Sequence, residues 1–186
     1  MKYGYWYYKN ILNKKRIKEI NKFIKNNFDI KESEKDGAKS QNFERKKFLN
    51  TKQILWKKIK NYLIDIDQLV TQTNQSNFGY SLYPVNDYDY INHNTYTVKN
   101  GKYDWHIDNT DNPFMDIKLT AILNLSEKKY ENGKFFIFLQ EEIEVKEFNE
   151  PGDLLIFKSD LNHKVSQITQ GERISLSIFY KGPLFK

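Results

Sequence analysis

Apolar residues recur every three or four positions in the first third of the chain and every second position through much of the rest. Leu12, Ile17, Ile20, Phe23, Ile24 and Phe28, with lysines between them, predict an amphipathic helix. Residues 29–50 lose this period and read as a charged loop. A second helix is expected over 51–70, with Thr51 as N-cap and Ile54, Leu55, Ile59, Tyr62, Leu63, Ile66 and Leu69 as its stripe. Neither stripe can be buried alone, so both are expected against a sheet. After Gln75 the texture changes. Residues 78–85, 88–98, 119–125, 134–139, 154–157 and 174–180 read as strands. Asn132 and Gly133 signal a hairpin turn, and Pro151, Gly152 and Asp153 a further turn. Short strands separated by turns predict a β-sandwich or barrel with helices on one face, an α+β fold that is mainly β. With no repeat and no low-complexity tract, residues 1–186 are expected to form one domain, with helical support over about 1–75 and a β core over about 76–183.

Composition adds limits. Hydrophobic residues make up 39% and aromatics 16%, enough for a buried core and against disorder. There is no cysteine, which excludes disulfides and thiolate metal sites. No apolar run approaches a membrane span and no signal peptide follows Met1, so a cytoplasmic protein with no membrane partner is expected. The net charge of +6 comes almost wholly from lysine, which reads as a solvated surface and not as a nucleic-acid footprint.

The chemistry concentrates in few residues. The chain has three histidines and three arginines. His106 and Asp108 stand at i and i+2, so on a strand they project to one face. His163 begins a later strand, after a strand at 154–157 and a turn. Two imidazoles and a carboxylate form the ligand set of non-haem Fe(II) centres that keep positions open. On the last strand, alternation puts Arg173, Ser175 and Ser177 on one face and Ile174, Leu176 and Ile178 on the other. A buried arginine needs a carboxylate, and an enclosed dicarboxylate ligand would supply it through a bidentate contact.

These residues carry a resemblance. Tyr103-x-x-His106-x-Asp108, the stretch from Tyr130 through Gly133 to Phe135, the Pro151-Gly152-Asp153 turn, His163-x-Val165 and Gly171-Glu172-Arg173-x-Ser175 occur in order. In this the chain resembles the 2-oxoglutarate- and Fe(II)-dependent dioxygenases, prolyl 4-hydroxylase-like branch, over about residues 78–183. The resemblance implies a double-stranded β-helix (jelly-roll, cupin-like) fold. It implies Fe(II) held by His106, Asp108 and His163, and 2-oxoglutarate held by Arg173 and Ser175. Tyr96 is the expected tyrosine beside the distal carboxylate, with Tyr103 as its substitute. O2 would be the second co-substrate and ascorbate the reductant. The implied reaction hydroxylates an aliphatic C–H of a peptidyl residue (prolyl-like), a free amino acid or a similar small molecule, releasing succinate and CO2. Asp108 argues against halogenation, since related halogenases lack that carboxylate.

Other residues have blander readings. His93 is expected in a surface turn and Trp105 in the core. Tyr80, Tyr83, Tyr88 and Tyr90 read as strand aromatics. Asp104 and Asp111 read as loop carboxylates near the site, and residues 29–50, 86–95 and 109–116 as the loops that set specificity. A nucleic-acid demethylase is the alternative within the same chemistry. That branch carries a second arginine six residues after the first, where this chain has Phe179. A non-enzymatic jelly-roll binding module is the alternative from another class.

Overall fold

The computed structural model describes residues 3–28, 49–99, 101–108 and 114–184. Two antiparallel sheets face each other. The larger contains β1 (Tyr5–Tyr8), β2 (Asn50–Leu55), β3 (Tyr90–Thr97), β5 (Asp116–Asn124), β9 (Leu154–Lys158) and β12 (Glu172–Gly182), in the order β1-β9-β5-β12-β3-β2. The smaller contains β4 (Tyr103–His106), β7 (Phe135–Leu139), β8 (Glu141–Glu144) and β10 (His163–Val165), in the order β4-β10-β7-β8. A short pair, β6 (Glu131–Asn132) and β11 (Ile168–Gln170), lies beside them. Helices α1 (Lys14–Asn27), α2 (Trp56–Ile59) and α3 (Ile64–Thr73) complete the fold. The strands form the expected jelly roll, supported by helices.

The large sheet is covered on both faces, which explains its near-continuous apolar strands. Leu119, Ala121, Leu123, Leu154, Ile156, Leu176 and Ile178 pack into one core with Ile17, Ile20 and Ile24 of α1 and Ile66 and Val70 of α3. Their odd-even neighbours Ile122, Leu155 and Phe157 point the other way, into a second core with Phe135, Ile137 and Val165 of the small sheet. Asn13 caps α1 by accepting the Arg16 amide at 2.9 Å. The Arg16 guanidinium grips the Asp65 carboxylate with both terminal nitrogens, tying α1 to α3 and holding that carboxyl below its ordinary range.

The second helix differs from expectation. Residues 50–55 form β2, paired with β3 from Asn50↔Thr95 to Leu55↔Tyr90. Thr51 is therefore no N-cap; its hydroxyl donates to Asn94 Oδ1 at 2.9 Å. The helical residues start at Trp56 and pass through a 3-10 turn (Lys60–Tyr62) into α3. Local propensity in 50–55 is weak, and the ladder with β3 overrides it. Residues 78–85 are not a strand either. α3 runs on into a π turn (Asn74–Phe78) that Gly79 ends in the left-handed region at φ 73°. Asn132 and Gly133 both sit at φ 64°, as a tight turn requires, yet β6 and β7 do not pair with each other: β6 joins β11, and β7 joins β10 and β8. Of the charged loop at 29–50, residues 29–48 lie outside the described residues.

Candidate metal centre and co-substrate pocket

His106 ends β4, and its register partner on β10 is His163. The two rings lie 4.1 Å apart, centroid to centroid. Each ring is oriented by a backbone carbonyl two residues earlier. His106 Nδ1 is 2.7 Å from Asp104 O, and His163 Nδ1 is 3.0 Å from Leu161 O. A carbonyl only accepts, so Nδ1 carries the hydrogen and Nε2 presents its lone pair. Asp108 follows β4 with its amide bonded to Ser159 O at 3.0 Å. Its carboxylate lies 3.7 Å from His106 Nε2 and 3.5 Å from His163 Nε2. One donor atom from each residue falls within 4.8 Å of the others, an N,N,O set able to hold one metal ion.

Most supports of this set are buried, and Tyr103 is half-buried. His163 is wedged between Phe135 and Phe157, with ring centroids at 5.5 and 4.7 Å. Tyr103 stacks on His106 at 3.5 Å. The Thr120 hydroxyl on β5 donates to Asp108 Oδ2 at 2.8 Å, and Thr120 Oγ1 lies 2.9 Å from Ser159 Oγ. Both hydroxyl residues are fully buried. Neither Thr120 nor Ser159 stands out in the sequence; the one available signal is a hydroxyl residue within the otherwise apolar stretch 119–123.

Arg173 lies on β12, level with Tyr96 on β3. It is 1% exposed, though it is the bulkiest of the fully buried side chains. Nη1 donates to Ser175 Oγ at 3.3 Å, while Nε and Nη2 have no hydrogen-bond partner among the described residues. The guanidinium stands over the Tyr96 ring at 5.0 Å and the Phe148 ring at 5.6 Å. A buried cation with two idle donors fits an anion, and a carboxylate would take both. Burial raises the Tyr96 phenol above its ordinary value, against the pull of Arg173, so the phenol stays a neutral donor. Tyr96 is thus beside Arg173, and Tyr103 is beside His106. A cavity of about 400 Å³ opens over the triad and reaches Tyr96, lined by Tyr96, Tyr103, His106, Asp108 and His163 among others; Arg173 and Ser175 are not part of its wall.

Three of the blander readings change. His93 is in β3, not in a turn, and is 7% exposed. It pairs in register with Leu176 on the helix-packed face, away from the triad. Trp105 is not core; at 39% exposed it packs edge-on against Phe138, with Lys164 Nζ 4.6 Å above its ring. Of the four tyrosines only Tyr90 belongs to a strand, and Tyr88 and Tyr90 line the cavity. Asp104 is an exposed partner of Lys102, whereas Asp111 lies outside the described residues. Among the expected specificity loops, 90–95 is strand β3, and 29–48 and 109–113 lie outside the described residues.

The model of the 2OG-Fe(II) oxygenase superfamily matches residues 91–181, from β3 into β12, and so takes in all three residues of the N,N,O set and Arg173. Residues 91–181, about half of the chain, belong to the 2OG-Fe(II) oxygenase superfamily. The chain is a 2-oxoglutarate-dependent dioxygenase, and Fe(II) and 2-oxoglutarate are the groups such an enzyme requires. No protein of curated function matches the sequence. Among solved structures, it is similar to a prolyl-4-hydroxylase of Pseudomonas putida (20% identity, 95% of this chain and 91% of that one, TM-score 0.66). It is also similar to a Trichoplax adhaerens prolyl hydroxylase in complex with a hypoxia inducible factor peptide fragment (17%, 95% and 83%, TM-score 0.69). A third is the viral collagen prolyl hydroxylase of Paramecium bursaria Chlorella virus-1 (13%, 98% and 97%, TM-score 0.64). At these identities the likeness is one of fold. Among the described residues no helix is long and apolar enough to cross a membrane.

Proposed function

We propose that His106, Asp108 and His163 hold Fe(II), and that Arg173, with Ser175 and Tyr96, holds the distal carboxylate of 2-oxoglutarate. The enzyme then hydroxylates an aliphatic C–H of a peptidyl residue (prolyl-like), a free amino acid or a similar small molecule, with release of succinate and CO2. Residues 1–186 act together as one oxygenase domain. The observation that carries the reading is the buried Arg173 with two idle donors, on the inner face of the sheet that also carries Thr120, the support of Asp108.

Fe(II), when bound, supplies activation of O2 coupled to decarboxylation of 2-oxoglutarate, with ascorbate as reductant. The protein's own part is geometric. The carbonyls of Asp104 and Leu161 keep both Nε2 atoms ligand-ready. The tie to Thr120 fixes one oxygen of Asp108, Oδ2. Tyr96 adds a neutral phenol beside the guanidinium. Ile122, Phe135 and Val165 supply apolar wall to the cavity and limit water there. Phe179, where a demethylase of this chemistry carries its second arginine, also lines the cavity, so that position offers no cation to a nucleic-acid backbone. Small-molecule or peptide substrates fit this wall better.

An anaerobic optical titration of the metal-free protein with Fe(II) and then 2-oxoglutarate tests the reading. A keto acid chelating ferrous iron should give a visible charge-transfer band, lost in His106→Ala and in His163→Ala. Iron binding without the band would sink the 2-oxoglutarate assignment. A band that survives both substitutions would sink the ligand assignment.

A further inference from the structure

Beyond the triad, the cavity wall holds one ion pair. Lys181 Nζ donates to Asp89 Oδ1, with the two side chains 31% and 19% exposed. Among the described residues lining the cavity, Lys181 is the one cation, and Asp89 is the one carboxylate besides Asp108. That is selective in a chain whose positive charge is nearly all lysine.

The position of the pair follows from β12. Its inner face runs through Arg173, Ser175, Ser177 and Phe179; the register against β5 shifts between Tyr180 and Lys181, and Lys181 also lines the cavity. Arg173 marks the co-substrate end. Phe179 pairs in register with Thr120, whose hydroxyl holds Asp108, so the triad lies at the level of Phe179. Lys181 is one strand repeat farther, about 7 Å along β12, on the side away from Arg173. A substrate carbon brought to the triad from the end opposite the co-substrate therefore lies next to Lys181 and Asp89.

Resting on the function proposed above, we propose that Lys181 and Asp89 read the charged end of the substrate, and that the substrate is a free α-amino acid. Its carboxylate takes Lys181 and its ammonium takes Asp89 Oδ1, two charge contacts replacing their mutual one, with no net charge added to the wall. The carboxylate is already set for this. Asp89 Oδ2 accepts the Asn86 amide at 2.9 Å, and Asp89 O accepts the Trp56 amide at 2.8 Å, so Asp89 is fixed while Lys181 is the adjustable partner. A partly exposed pair contributes little to folding, so exchanging it for ligand contacts costs little. Size agrees: a cavity of about 400 Å³ stands at the small end for ligand sites. An internal residue of a peptide has neither charge to offer here.

The test uses the full chain loaded with Fe(II) and 2-oxoglutarate without oxygen. The probes are the free L-amino acids and their N-acetyl carboxamides, with perturbation of the charge-transfer band as the readout and succinate release in air as the second. At least one free acid should bind, and its capped form at least about tenfold more weakly. Lys181→Met should lose about tenfold or more in affinity for that acid, with iron and 2-oxoglutarate binding intact, and Lys181→Arg should restore most of it. Asp89→Asn should lose the preference for a free ammonium. Equal binding of free and capped forms, no bound free acid beside an intact band, or unchanged affinity in Lys181→Met overturns the inference alone. A band that never forms overturns the reading of the centre, and the inference with it.

Discussion

The Thr120 hydroxyl donates to Asp108 Oδ2 at 2.8 Å from a strand that contributes no other group to the triad. Thr120 is itself 2.9 Å from Ser159 Oγ, and the Ser159 carbonyl accepts the Asp108 amide at 3.0 Å. The carboxylate is thus held at its side chain and at its backbone by two fully buried residues. Outer hydrogen bonds of this kind fix a ligand's orientation, and their loss typically weakens metal affinity about 10–100-fold. Thr120→Val should therefore weaken Fe(II) binding by about that factor, measured directly by metal titration, while the fold is retained. Thr120→Ser should keep the donor and bind iron nearly as the parent does. Equal metal affinity in the valine variant would mean that the hydrogen bond does not position Asp108.

Arg173 poses a separate test, because among the described residues its burial brings no ion pair in return. Arg173→Met removes a cation with two idle nitrogens from a buried site. The metal-free, ligand-free variant should be at least as stable as the parent in thermal unfolding. Affinity for 2-oxoglutarate should fall at least about a hundredfold, with iron affinity retained. Addition of 2-oxoglutarate should raise the melting temperature of the parent and leave that of the variant unmoved. A variant that is clearly less stable and still binds 2-oxoglutarate would make Arg173 a structural residue.

Gly133 bears on the same pocket from behind. It sits at φ 64°, and a Cβ there would meet Ile168 Cδ1 at 2.1 Å and Arg173 Cδ at 3.3 Å. Ile168 is fully buried and has little room to yield. Gly133→Ala should cost on the order of 1–3 kcal/mol in denaturant unfolding, from backbone strain plus overpacking. It should also weaken 2-oxoglutarate several-fold while iron affinity stays, since the displaced groups border Arg173 and not the triad. An iron defect equal to the co-substrate defect would show a general disturbance instead.

What the sequence carried, and what it did not, follows one physical line. Ile17, Ile20 and Ile24, or Arg173 against Ile174 on β12, declare their faces by period alone, because a helix or strand with one buried side repeats that side at fixed intervals. Residues 50–55 do not declare themselves. Their pairing with β3 is a contact between segments about forty residues apart, and no local pattern encodes it. The convergence of His106, Asp108 and His163 was legible because histidine is rare in this chain and the three residues stand in order. Thr120 and Ser159 were not, since a hydroxyl residue becomes a support only when the fold brings it under Asp108. Lys181 and Asp89 were hidden likewise: each is one of many charged residues until β12 and the 86–89 turn bring them together over the cavity.

His93 is the residue that most contradicts its sequence reading, and it makes the last prediction. Burial, reinforced by the nearby charge of Lys52, lowers its pKa from an ordinary 6.5 to about 4. Neither ring nitrogen has a hydrogen-bond partner among the described residues. In the unfolded chain the imidazole takes up a proton as the pH falls below 6.5; in the folded chain it stays neutral until about 4. Over that interval the unfolded state binds more protons, so stability must fall as the pH drops and must be fully restored above 6.5. The loss attributable to this one ring is on the order of 2–3 kcal/mol by pH 4.5. Urea unfolding of the parent and of His93→Leu, at pH 7.5 and at pH 4.5, isolates it: the variant should lose less stability than the parent on acidification, by about that amount. An identical acid dependence in the two proteins would mean that His93 is not the group held neutral. Because its face of β3 is turned toward the helices, the substitution should leave Fe(II) and 2-oxoglutarate binding unchanged at pH 7.5.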